Sequence, residues 1–101
     1  MLACVFFAAP ASAQDAKAGR EKAKKCLVCH GKYGLAVAPN VPNLAGENAN
    51  YIVSQLKAFK SGKRQHEQMS IIAADLEEAD IQDLARWYSL IKVVATPPDL
   101  E

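Results

Sequence analysis

Apolar positions recur at helical spacing in three stretches of the chain, and alternation of the strand type persists nowhere, so the expected class is all-α. Over residues 16–29, Ala16, Gly19, Ala23 and Cys26 fall three or four apart. Small residues at that period make a narrow face against which a second helix can approach closely. Over residues 48–61, Ile52, Leu56 and Phe59 share one face, and Gly62 follows as a stop. Over residues 77–93, Ile81, Leu84, Tyr88 and Ile91 line one face with Trp87 beside them, and Pro97-Pro98 prevents continuation. Between these stretches lie two long connections. Residues 31–46, GKYGLAVAPNVPNLAG, hold Gly31, Gly34, Gly46, Pro39 and Pro42 and are expected to be irregular; residues 62–76 lack a helical period in their first half. Loops well beyond the usual ~4–6 residues, in so small a domain, point to function.

The ends narrow the domain further. Leu2 to Ala9 is an apolar run, followed by Ala11-Ser12-Ala13. A short apolar stretch ending in a small-x-small triplet is the pattern of a secretory signal and its cleavage site. The run falls short of the ~20 apolar residues that a spanning helix needs. The expected division is a signal over 1–13 and one domain over 14–101. No Lys or Arg precedes the run, so the expected start lies upstream of Met1, or the chain is a fragment. Leu2-Ala3-Cys4 has part of a lipoprotein box, but nothing before it to act as its signal. Export means an oxidising compartment. The exported part holds Cys26 and Cys29 alone, and a bridge across so short a loop would stabilise little. A domain of this size therefore needs another source of cohesion.

The formal charge of +1 hides an asymmetry. Residues 15–66 carry ten Lys and Arg against three acids, and residues 67–101 carry two against eight. Such a dipolar surface either keeps two helix faces solvated or steers a charged partner. No dense basic run with interleaved aromatics points to nucleic acid.

Cys26, Cys29 and His30 then stand out in KKCLVCHGKYG, residues 24–34. A redox dithiol is expected where a strand enters a helix, whereas this pair closes a helix. A structural zinc needs four ligands, and His66 is the only histidine left to complete the set. C-x-x-C-H is the attachment signature of a c-type haem. Two thiols one helical turn apart reach the two vinyl groups on one side of the porphyrin, and the adjacent His30 lies beneath the iron. The bound plate would also supply the apolar body that the small domain lacks.

With CLVCHG, PNVPNLAGENANYIVSQLKAFKSGKR and MSIIAADLEEADIQDLARWYSLIK in that order and at that spacing, the chain resembles the small class I c-type cytochromes, within them the bacterial cytochrome c4 and c553-like group. The resemblance covers nearly all of 14–101. It implies a cytochrome c fold: three main helices, with the first and last crossing near the haem, and long loops wrapped around one covalently bound haem c. It implies Cys26 and Cys29 as attachment points, His30 as proximal iron ligand, and Pro42 as the residue whose carbonyl receives the other imidazole N–H. Met69 matches the distal sulfur ligand. Tyr51 and Gln55 are the expected partners of the propionates, and Gly19 the small residue at the helix crossing. A methionine can also be plain core filling, and His66 in the same loop could bind iron in its place. Glu77 stands where the family often has Ser or Thr as the cap of the last helix, with Asp75 as a substitute.

The function implied is periplasmic electron transfer on a His/Met-ligated haem, by a carrier rather than an enzyme. Lys24, Lys25, Lys32, Lys57, Lys60, Lys63 and Arg64 form the expected docking face for an acidic redox partner; the bland reading is that they confer solubility. A haem subunit of a periplasmic dehydrogenase, and a ligand-binding haem protein, are the alternatives.

Overall fold

The structure, a computed structural model, describes residues 3–5 and 15–101; the expected signal over 1–13 and its cleavage point lie almost wholly outside them. Among the described residues five α-helices follow in order: α1 (Ala16–Lys22), α2 (Leu27–His30), α3 (Ala49–Ser61), α4 (Met69–Ala74) and α5 (Glu78–Leu90), with a 3-10 turn at Ala23–Lys25. Among the described residues there is no strand, so the all-α expectation holds.

The ends of the helices are set by local chemistry. Asp15 begins α1, its Oδ1 accepting from Lys17 N–H at 2.9 Å and Ala18 N–H at 3.4 Å. Asn48 does the same for α3 through Tyr51 N–H at 3.1 Å, and Gly62 closes that helix in the left-handed region, φ 85°. Glu77 proves to be the cap of α5, in a capping box with Asp80, whose Oδ2 accepts from Glu77 N–H at 2.9 Å. Asp75 does not substitute for it: that residue ends α4.

Three departures from the sequence pattern matter for the site. The first helix is not continuous over 16–29. Cys26 N–H bonds to Ala23 O at 2.8 Å, an overwound turn that packs Cys26 against the core before α2 starts. The second connection contains α4, whose Ala73 is fully buried. The last helix stops at Leu90 because Gly46 N–H takes the Tyr88 carbonyl (2.9 Å), and Ile91 turns extended, φ −69°, ψ 123°.

Helix α1 lies across α5, and α3 packs on both α5 and α4. The core between them joins Ala23, Ile52, Leu76, Ile81, Leu84, Ala85 and Tyr88. At the crossing a Cβ on Gly19 would run into the Asp83 carbonyl and stand 2.8 Å from Trp87 Cβ, so only glycine permits this approach. Polar contacts lock it. Lys22 Nζ bridges Asp80 (3.0 Å) and the buried Asp83 (2.6 Å), and Asp83 Oδ1 accepts from Asp15 N–H at 2.8 Å. A buried carboxylate needs such partners, since an unpaired one is strongly destabilising.

Gly19→Ala is expected to destabilise the holo-protein by about 2 kcal/mol or more, lowering its melting temperature by roughly 10 °C. A melting curve unchanged by the substitution would contradict the close crossing. Acid should act on the same region. The Glu77 N–H first, and then Lys22, hold the Asp80 carboxyl below its ordinary range. A depressed folded-state pKa gives stability that is present above the unfolded value and lost as pH falls through the folded one. Melting temperature should therefore drop below about pH 4, and less steeply in Asp80→Asn.

Candidate functional site

The turn that carries Cys26, Cys29 and His30 grows from the end of α1. His30 N–H bonds to Cys26 O at 2.9 Å, placing the two thiols on successive turns with the imidazole beside them. The cysteines are free and half-buried, and His30 is 7% exposed. Gly31, φ 80°, reverses the chain; a Cβ there would collide with the Leu35 carbonyl.

The loop that follows is folded back on this turn. Val37 and Ala38 N–H both bond to Cys29 O (3.0 and 3.3 Å), while Leu44 and Ala45 N–H bond to Gly34 O (2.7 and 3.0 Å). Asn43 Oδ1 accepts from Ala36 N–H at 2.7 Å. This fold delivers the Pro42 carbonyl to His30: Nδ1–H donates to it at 2.9 Å. With the proton held on Nδ1, Nε2 is left with its lone pair, the form in which imidazole ligates a metal.

Burial pushes the Cys26 thiol up from its ordinary pKa. Burial first, and then neighbouring Cys26, raises the Tyr88 hydroxyl well above the usual phenol range. Tyr88 Oη is buried against the Cys26 thiol, and Trp87 Nε1 is buried without a hydrogen-bond partner among the described residues.

The other expected site residues lie apart in sequence and on other elements. Tyr51 and Gln55 are on α3; Tyr51 is half-exposed, and Gln55 Oε1 accepts from Arg64 Nη1 at 2.7 Å. Met69 is the first residue of α4 and half-buried. No hydrogen bond joins these three side chains to the Cys26–His30 turn among the described residues. The zinc reading fares badly: no group of three or more His, Cys, Asp or Glu able to hold a metal ion occurs among the described residues.

The expected docking cations are unequal. Lys24 pairs with Glu21 (2.6 Å) and Lys57 with Glu78 (3.0 Å), while Lys60 Nζ donates to Ala74 O (3.0 Å). Arg64 stacks on Phe59 (4.5 Å) and Lys32 lies over Tyr33 (5.4 Å). Lys25 is exposed and acts on the Asp80 carboxyl and the Cys26 thiol through its charge, whereas Lys63 is exposed with no side-chain partner among the described residues. Proximity in sequence had grouped them without showing which were already neutralised.

No protein-family model matches the chain. Individual proteins do. Over 80 residues it is 41% identical to cytochrome c-554(548) of Halomonas halodenitrificans, covering 76% of this chain and 96% of that protein. The chain belongs to the c-type cytochromes, in the cytochrome c4-like group. The crystal structure of reduced cytochrome c4 from Pseudomonas stutzeri superposes with a TM-score of 0.74 at 35% identity, over 79% of this chain and 47% of that one. The thiosulfate dehydrogenase electron acceptor of Thiomonas intermedia is 37% identical over 95% of this chain and 43% of its own length. The chain thus spans nearly all of the Halomonas cytochrome and less than half of the other two.

This cytochrome is an electron-transfer haem protein, and its cofactor is covalently bound haem c. The donor set fits that group: two free thiols at one-turn spacing and an imidazole with Nδ1 already occupied. The surface fits it as well. Val28, Leu35, Val37, Tyr51 and Ile71 are 52–73% exposed, apolar area that a bound macrocycle could cover, beside a buried core of few large side chains. The haem-free chain should therefore lose its cooperative helical structure. Far-UV dichroism through a thermal melt checks this; full, cooperative helix in the haem-free chain would contradict it.

Proposed function

We propose that residues 14–101 form an exported, periplasmic domain that carries one electron at a time, with His30 and Met69 as axial ligands to the iron. Haem c, when bound, supplies the metal that alternates between the ferric and ferrous states. The chain's own residues attach it through Cys26 and Cys29, orient the proximal imidazole, and enclose the distal side with the loop that holds Met69. The observation that carries this reading is the His30 Nδ1–H bond to Pro42 O at 2.9 Å, which sets the ring in a metal-ligating tautomer on the same turn as both thiols. The relatives that the chain matches include cytochromes, and electron transfer without catalysis is the assignment.

On the distal side the geometry favours Met69 over His66. His66 Nδ1 accepts from both Gln68 and Met69 N–H at 3.2 Å, so the ring proton belongs on Nε2. An imidazole that ligates through Nε2 needs the opposite tautomer. A thioether ligand raises the potential relative to a second nitrogen donor, which suits a carrier late in a respiratory chain. Tyr51 and Gln55 are assigned to the propionate side.

Similarity to the Thiomonas acceptor favours a second reading of the partner: a periplasmic dehydrogenase that delivers electrons to this domain. In either case Lys63, exposed and without a side-chain partner among the described residues, is the best-placed cation for an acidic docking face.

The tests are spectroscopic and kinetic. Oxidised protein should show the weak far-red band of a Met–ferric bond. Met69→Ala should abolish that band and lower the midpoint potential, and an unchanged band and potential would refute the assignment. Stopped-flow reduction by an acidic redox protein should slow as salt rises and slow again in Lys63→Glu. Rates indifferent to ionic strength would remove the basis for the docking face.

A further inference from the structure

His66 stands out because four hydrogen bonds converge on it from a stretch of five residues. Its Nδ1 accepts from Gln68 N–H and Met69 N–H, each at 3.2 Å. Its own N–H donates to Ser70 Oγ at 2.9 Å, and Ser70 N–H returns to the His66 carbonyl at 3.0 Å. The result is a closed knot around the first turn of α4.

Chemically, the knot is a helix N-cap made by an imidazole. Asp15 caps α1 by accepting from the amides two and three residues on. His66 accepts at the same two offsets, and its Nδ1 stands as many bonds from the backbone as an aspartate Oδ1. These amides are among those left without partners at the start of a helix. Neighbouring groups offer little else, for Gln68 makes no side-chain cap and the first turn of α4 has no acid.

A helix of six residues cannot persist on its own. Helix α4 is therefore held by its packing on α3 and by ties at its two ends. At the far end Lys60 Nζ donates to Ala74 O at 3.0 Å, tying it to α3. At the near end the tie is His66, and the amide it holds belongs to Met69 itself.

We propose that His66, with Ser70, is the positioning device for Met69: it fixes the backbone of the distal ligand and so holds the sulfur on the iron. The inference rests on the assignment of Met69 as that ligand. His66 touches neither the haem nor the iron in this role. It governs how often the Met69 loop opens, and with it the fraction of protein able to accept a foreign ligand.

The experiment uses the holo-protein in the ferric state, with imidazole as the probe of loop opening. Binding in proportion to the open population is expected, since only that form is competent. Losing the two bonds to Nδ1 in His66→Ala should raise the imidazole association rate about tenfold and weaken the far-red band. His66→Asn, whose Oδ1 can accept from the same two amides, should return the rate to within about threefold of the unsubstituted protein. Ser70→Ala should fall between them. An unchanged rate and band in His66→Ala overturn the proposal, as does a defect that His66→Asn leaves unrepaired. Met69→Ala separates the two layers: if it retains the far-red band, the ligand assignment fails and the proposal with it. If Met69→Ala loses the band while His66→Ala behaves as the unsubstituted protein, only the positioning role fails.

Discussion

The hydrogen bond from His30 Nδ1 to the Pro42 carbonyl, 2.9 Å long, couples the two least regular parts of the molecule. One is the short turn that presents both thiols. The other is the 31–46 loop, which has no repeating backbone pattern of its own. Without that bond the imidazole would be free to choose its tautomer and orientation. The loop secures the bond by spending its own polar groups locally, on the Cys29 and Gly34 carbonyls and the Asn43 side chain. The Cys26–His30 turn and the loop are thus one structural unit, and in the proposed ligation that unit orients the proximal imidazole.

That unit has to be mounted on something rigid, and the α1–α5 crossing provides the mount. The absence of a side chain at Gly19 lets the helices meet, and Lys22 fixes their registry through Asp80 and Asp83. Tyr88 then links the mount to the site, lying in the core cluster, beside Cys26, with its carbonyl holding the end of the loop at Gly46. The distal side is built more lightly. A six-residue helix, packed on α3 and tethered at both ends, carries Met69. Under the proposed ligation, such an arrangement would concentrate rigidity on the side of the two thiols and hold Met69 by the packing of α4 on α3 and a few exposed hydrogen bonds.

Much of this was legible in the sequence. The helical periods located α3 and α5 to within a few residues, because each buries a face of several apolar side chains. The C-x-x-C-H spacing pointed to the turn at Cys26–His30, because two covalent bonds and one ligand would leave almost no freedom in spacing. The resemblance supplied Pro42, which no local pattern could have singled out, since a carbonyl is present at every residue. Other features were hidden for physical reasons. Helix α4 is too short to display a period. The overwinding at Ala23–Lys25, where Ala23 and Cys26 meet the core, leaves the three-and-four spacing of small residues unchanged. The His66 knot escaped because Ser, Thr, Asp and Asn are the usual capping residues, and a histidine near a methionine draws attention as a ligand. Which lysines are free was also invisible, as Lys57 and Lys60 find partners on α5 and α4 far along the chain.

The central claim is that iron in this chain is held between the His30 imidazole and the Met69 thioether, on a haem fixed by Cys26 and Cys29. Iron K-edge X-ray absorption on the purified holo-protein tests it most directly, because it counts the donor atoms at the metal. A single sulfur scatterer at bonding distance, beside the nitrogens of the macrocycle and one imidazole, is the predicted shell in both oxidation states. A shell of nitrogen alone, or a five-coordinate iron, would contradict it.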